Sequence, residues 1–124
     1  RLGRFGPDGR ARPILGHNLS SVAMGAFILW IGWFGFNCGS NLEASGGAML
    51  ACVNTFIATA AAILGWLAVE LIRDKHATSV GAASGIVAGL VAITPAAGNV
   101  GIGGALVIGA LVVNELLGWR QRRV

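Results

Sequence analysis

Charge is scarce in this sequence: Asp, Glu, Lys and Arg make up 11% of its 124 residues, while 55% are hydrophobic. A soluble domain usually carries about 25% charged residues, so a bilayer is the expected solvent. The materials of catalysis are missing as well. There is no pair of neighbouring carboxylates and no Cys/His cluster with metal-ligand spacing, and the 20 glycines form no Walker-type phosphate loop. An enzyme is therefore not expected, nor a cofactor or a metal. Glu43, Glu70 and Glu115 fall at helix ends or in loops and are expected in solvated or interfacial roles. His17 and His76 flank apolar runs, which suits loop or capping duty better than proton transfer. The two cysteines, Cys38 and Cys52, could approach each other near one surface, but small-residue packing is expected of them rather than a disulfide. The basic lead from Arg1 to Arg12 is followed by a full-length apolar run with no Ala-x-Ala site, so a signal peptide is not expected. Internal repeats and low-complexity tracts are absent.

What the sequence does have is long uncharged runs: Pro13 to Leu42, Ala44 to Val69, and Ala77 to Asn114. A helix needs roughly 20 mainly apolar residues to cross the hydrocarbon, so each of the first two runs holds one span. The third is too long for one helix and contains Thr94-Pro95-Ala96-Ala97-Gly98-Asn99. Proline removes a backbone donor and Gly-Asn favours a turn, which predicts a break there. The expectation is an all-α membrane protein with four transmembrane helices at about 19–37, 47–70, 79–96 and 100–118. A cytoplasmic linker, 1–18, precedes them and a basic cytoplasmic tail, 119–124, follows.

Basic residues collect in cytoplasmic loops, and here their placement supports the count. Arg1, Arg4, Arg10 and Arg12 precede the first span, Arg73 and Lys75 separate the second from the third, and Arg120, Arg122 and Arg123 follow the fourth. All nine fall on one side only if there are four spans. The net charge of +4 then marks topology and contact with anionic lipid, and no nucleic-acid partner is expected. Asn18 or Ser20 can cap the first helix, the third starts near Thr78 or Ser79, and Trp119 sits where an interfacial anchor would. Gly81, Gly85 and Gly89 recur every fourth residue, and Ala105 with Gly109 repeats the spacing. Such stripes let helix backbones approach closely, so these spans are built to pack against protein.

One stretch has the makings of a cation site: Ile31-Gly32-Trp33-Phe34-Gly35-Phe36-Asn37-Cys38-Gly39-Ser40, at the outer end of the first helix. A ring face attracts a small cation by about 0.5 to 2 kcal/mol, and a hydroxyl accepts its hydrogen bond. Trp and Phe are also ordinary interfacial residues, so the spacing leaves both interpretations open. Here, however, the sequence resembles the ammonium transporter (Amt/Rh) family. The resemblance runs through Gly-His-Asn-Leu at 16–19, Gly-Trp-Phe-Gly-Phe-Asn-Cys-Gly-Ser at 32–40, Val53-Asn54-Thr55, and Ala58 to Trp66. It continues over Gly81 to Gly98 and covers about Gly16 to Ala110.

The resemblance implies helices six to nine of an eleven-helix protomer, the first four of its second inverted repeat, beginning in the cytoplasm. It implies a phenylalanine gate at Phe36, a hydroxyl that holds the external ammonium at Ser40, a pore-wall tryptophan at Trp33 and a vestibule threonine at Thr94. Helix packing competes with function at the last two. The implied partners are ammonium or ammonia, the lipid bilayer, the remaining helices of the protomer, two further copies in a homotrimer and a cytoplasmic regulator. The implied location is the plasma or bacterial inner membrane, in nitrogen uptake. The family's pore histidines, on helices five and ten, have no counterpart here, and His17 and His76 are misplaced to stand in for them. After Ala110 the sequence leaves the family's glycine-rich continuation. Two functions stay open: part of an ammonium channel, not conducting as this fragment alone, or a degenerate or truncated membrane remnant with only a structural or assembly role.

Overall fold

The computed structural model describes residues 3, 5–11 and 16–121, without the side chains of 114–121. Four helices follow in order: α1 (Leu19–Gly39), α2 (Gly46–Asp74), α3 (Ser79–Ile93) and α4 (Ile102–Gln121). Apart from an isolated bridge between Phe5 and Ala11, the described residues contain no β structure. The expected Trp119 anchor, Glu115, and Arg1, Arg4, Arg12, Arg120, Arg122 and Arg123 lie outside the residues whose side chains are described.

Local chemistry sets the helix limits. Asn18 caps α1, its side-chain oxygen accepting from the Ser21 amide at 3.0 Å, and Thr78 caps α3 by accepting from Gly81 at 2.9 Å. α2 runs on past Glu70 to Asp74, where Lys75 turns left-handed at φ 64°. The exposed Arg73 pairs there with Asp74 at 2.5 Å, and that hydrogen bond raises the guanidinium pKa further. α3 ends at Ile93 rather than Ala96, and α4 begins at Ile102 rather than Val100. Pro95 has no N–H to continue the ladder, so residues 94–101 close as turns, with the Ala96 amide on Ile93 and the Asn99 amide on Ala96, both at 2.9 Å. α1 and α2, with 21 and 29 residues, are long and apolar enough to cross a membrane. α3 has 15 residues.

α2 is the hub, packed against each of the other three helices. The small-residue stripes make this possible. A Cβ on Gly85 would lie 2.9 Å from the Ile63 Cα, and one on Gly89 would lie 2.8 Å from the Thr59 Cα. On α4, Gly109 sits directly against the Ala58 carbonyl. The buried residues are correspondingly small, Ala58, Ala62 and Ala105 among them, with Leu90 and Ile93 the largest apolar side chains fully enclosed. The outward faces are greasy: Ile31, Ile72 and Leu64 are each about 70% exposed. Apolar surface of this extent calls for lipid or further protein.

Buried polar groups are paired, some within a helix and some between elements. Thr55 and Thr59 return their hydroxyl protons to the carbonyls of Ala51 and Thr55, at 2.6 and 2.7 Å. Asn54, fully enclosed on α2, donates to Ala97 O at 2.8 Å and to Val100 O at 2.6 Å, fastening the α3–α4 turn. Glu70 departs from the solvated or interfacial role expected of it, being only 9% exposed. Its carboxylate accepts from Trp66 Nε1 at 3.2 Å, from the Thr78 amide at 2.8 Å and from the Thr78 hydroxyl at 2.9 Å. The cause is the start of α3, whose unpaired N–H groups and dipole favour an anion.

Candidate functional site at the end of α1

The four residues singled out in the sequence form one connected ladder. Trp33 lies on α1, and its indole Nε1 donates to Thr94 Oγ1 at 2.8 Å. Thr94, the C-cap of α3, donates in turn to Leu90 O at 2.8 Å. One turn above Trp33 is Phe36, its ring centroid 5.8 Å away and tilted by 59°. One further turn on, Ser40 caps α1 and gives its hydroxyl proton to the Phe36 carbonyl. Trp33 and Thr94 are half-buried, whereas Ser40 and Phe36 are exposed, Phe36 to 59%.

This arrangement has a chemical bias. Because the Ser40 proton is used on a carbonyl, the hydroxyl can only accept from a ligand, and Phe36 offers a ring face. The pair suits a small cation that donates hydrogen bonds and accepts none. Trp33 is held at both ends, by the Phe36 ring and by the Thr94 hydroxyl, so its plane is fixed beneath the exposed pair.

Residues between and beside these four were not recognised as participants from sequence. Asn37, 8% exposed, donates to Thr55 Oγ1 at 3.0 Å, tying α1 to α2. The signal was an amide inside an uncharged run, where a lone polar group costs free energy unless it is paired. Beside it, Cys38 and Cys52 are joined by a disulfide, with Cα atoms 5.3 Å apart, which corrects the expectation of plain small-residue packing. The short 40–45 loop brings the second turn of α2 against the last turn of α1, within the Cα spacing that a bridge needs. On the opposite side of α1, an open apolar groove of about 930 Å³ runs along α3, lined by Val22, Leu29, Val87 and Val91, with Trp66 also against it.

The chain has relatives. The sequence model of the Ammonium Transporter Family matches residues 1–120. The ammonium transporter of Mycobacterium tuberculosis H37Rv is 59% identical over 93 residues, covering 75% of this chain and 20% of the relative. That of Bacillus subtilis is 52% identical over 95 residues, covering 77% and 24%. The crystal structure of Saccharomyces cerevisiae Mep2 superposes with a TM-score of 0.77 at 42% identity, over 79% of this chain and 22% of that one. The chain thus spans about a fifth to a quarter of the length of the proteins it matches. A four-helix membrane fold, its glycine-stripe packing and a family match over nearly the whole sequence agree: this chain belongs to the Ammonium Transporter Family.

Proposed function

We propose that this chain forms one wall of an ammonium-conducting pore together with its phenylalanine gate, Phe36, and its external recruitment residue, Ser40. The observation that carries this is the unbroken ladder from Ser40 through Phe36 and Trp33 to Thr94, which joins an exposed cation-accepting end to a half-buried wall. An ion is expensive to move through a dry lumen, where insertion scales charge a central cationic side chain about 2.5 to 3.5 kcal/mol. Ammonium is therefore captured at Ser40, loses its proton, and continues as ammonia along an apolar path. Proton handling belongs to histidines on other helices of a complete protomer. The work is transport, and the N–H bond broken on the ammonium is the one bond of the cargo that changes.

All four helices cross the bilayer, leaving residues 1–18 and 119–124 in the cytoplasm of a plasma or bacterial inner membrane. α3 is short, about 22 Å at 1.5 Å per residue, and residues 94–101 complete its crossing. Irregular backbone is tolerated at that depth when protein groups satisfy it, which Asn54 does for Ala97 and Val100. The disulfide supports the orientation, since bridges persist on the oxidising side of a membrane. The α1–α3 groove seats another helix of the protomer, three protomers assemble, and a cytoplasmic regulator acts from the side of the termini.

The test is ammonium flux in proteoliposomes, with these residues set in a complete protomer. A hydrogen bond to a charged group contributes about 1.5–3 kcal/mol, so Ser40→Ala raises the apparent KM about tenfold or more. An unchanged KM removes Ser40 from the site. The four helices alone carry no flux, and measurable conduction by them overturns the division of labour proposed here.

A further inference from the structure

Phe36 and Ser40 are four residues apart and share one face of α1. The two residues after Phe36 turn the other way, and both are tied to α2: Asn37 by a hydrogen bond to Thr55 and Cys38 by the bridge to Cys52. Further back on α1, Trp33 is bound to Thr94 and Phe34 stacks on Phe56 of α2 at 6.5 Å, so in the last turn the ties to α2 are those at Asn37 and Cys38. We infer that the Cys38–Cys52 disulfide is a positioning clasp for the outer site, and that thiol–disulfide exchange at this clasp sets how tightly the site recruits ammonium. The inference rests on the assignment of Phe36 and Ser40 made above.

Both cysteines are half-buried beside the exposed Gly39 and Ser40, so the bridge lies near the surface. A small dithiol reductant can open it in balanced steps. One of its thiolates attacks a bridge sulfur, forming a mixed disulfide and releasing the other cysteine as a thiolate that takes a proton. The second reductant thiol then displaces the remaining cysteine. The reductant leaves as a disulfide, and its two protons end on Cys38 and Cys52. Two thiols need non-bonded spacing where the sulfurs were joined. The last turn of α1 then moves away from α2 on the remaining Asn37–Thr55 tie, carrying the Ser40 hydroxyl and the Phe36 ring with it. Trp33, anchored to Thr94 one turn below, stays behind. Capture weakens while the pore wall is preserved, so the predicted signature is a change in KM without a change in maximal flux.

The experiment uses a complete protomer carrying this segment, reconstituted in proteoliposomes. Ammonium flux is measured before dithiothreitol, after it, and after re-oxidation with diamide, while peptide mapping of alkylated protein follows Cys38 and Cys52. The expected result is that both cysteines resist alkylation until reduced. Reduction then raises the apparent KM about three- to tenfold, the partial loss of one hydrogen bond to an ion. Diamide restores it, and Cys38→Ser/Cys52→Ser shows the raised KM and no response to either reagent. The proposal is overturned if the cysteines alkylate without reductant, or if they are reduced and KM does not move. If Ser40→Ala leaves KM unchanged while dithiothreitol still raises it, the site assignment falls and redox control of recruitment stands.

Discussion

Gly89→Ala probes the contact on which the whole arrangement depends. An added Cβ would stand 2.8 Å from both the Thr59 Cα and the Ala62 Cβ, and 3.0 Å from the Ala58 carbonyl oxygen. Ordinary contact begins near 3.4 Å, so α2 and α3 must part by about 0.6 Å, the shortfall of the closest approach. Overpacking of this kind costs about 1–3 kcal/mol. Helix propensity works against the effect, because alanine gains about 0.8–1.0 kcal/mol over glycine in a helix interior. The balance is a net loss of up to about 2 kcal/mol. Ala62→Gly isolates the steric part by removing one of the two closest partners and leaving the other. A double-mutant cycle on thermal unfolding in detergent should therefore give a favourable coupling of about 0.5–1.5 kcal/mol between the two changes. If Gly89→Ala melts at or above the parent and the two changes are additive, the close α2–α3 approach is not what holds the bundle.

Substitutions at three further positions test the polar ties. Thr94→Val strands the Trp33 N–H and should cost about 1–3 kcal/mol in thermal unfolding, whereas Thr94→Ser, which keeps the acceptor, should lose little; equal losses would deny the bond its importance. Glu70→Gln retains the shape but puts a neutral amide at the start of α3, which should destabilise by about 1–2 kcal/mol, and a neutral outcome in the same assay would count against the anchoring charge. Asn54→Leu leaves the Ala97 and Val100 carbonyls without their donor and should lower stability by at least about 2 kcal/mol. It should also speed proteolysis in the 94–101 turn, and cleavage at the parental rate would contradict the fastening role.

Helix number and the small-residue faces were legible in the sequence because each depends on local pattern. Run length set the count, Pro95 marked the break, and a four-residue glycine period marked the face that meets α2. The limits of α3 and α4 were less legible. Proline ended α3 before Ala96, yet the width of the turn depends on Asn54, 43 residues before Ala97 in the chain. Glu70 shows the same limitation. At the end of an apolar run a carboxylate ordinarily finds water, and only the return of the chain at Thr78 supplies donors that let it be buried. Cys38 and Cys52 could not be joined from spacing, since the bridge requires the 40–45 loop to set the last turn of α1 against the second turn of α2. Nothing in the sequence paired Trp33 with Thr94, because their hydrogen bond spans 61 positions and depends on how α1 packs against α3.

In the proposed assignment the exposed end of α1 recruits the cargo. Its most direct test is a crystal structure of a complete protomer carrying this segment, soaked in methylammonium. Ligand density is expected within hydrogen-bond reach of Ser40 Oγ and over the face of Phe36, lost in Ser40→Ala crystals soaked identically. Density that persists unchanged in Ser40→Ala, or that lies away from Phe36 altogether, would contradict it.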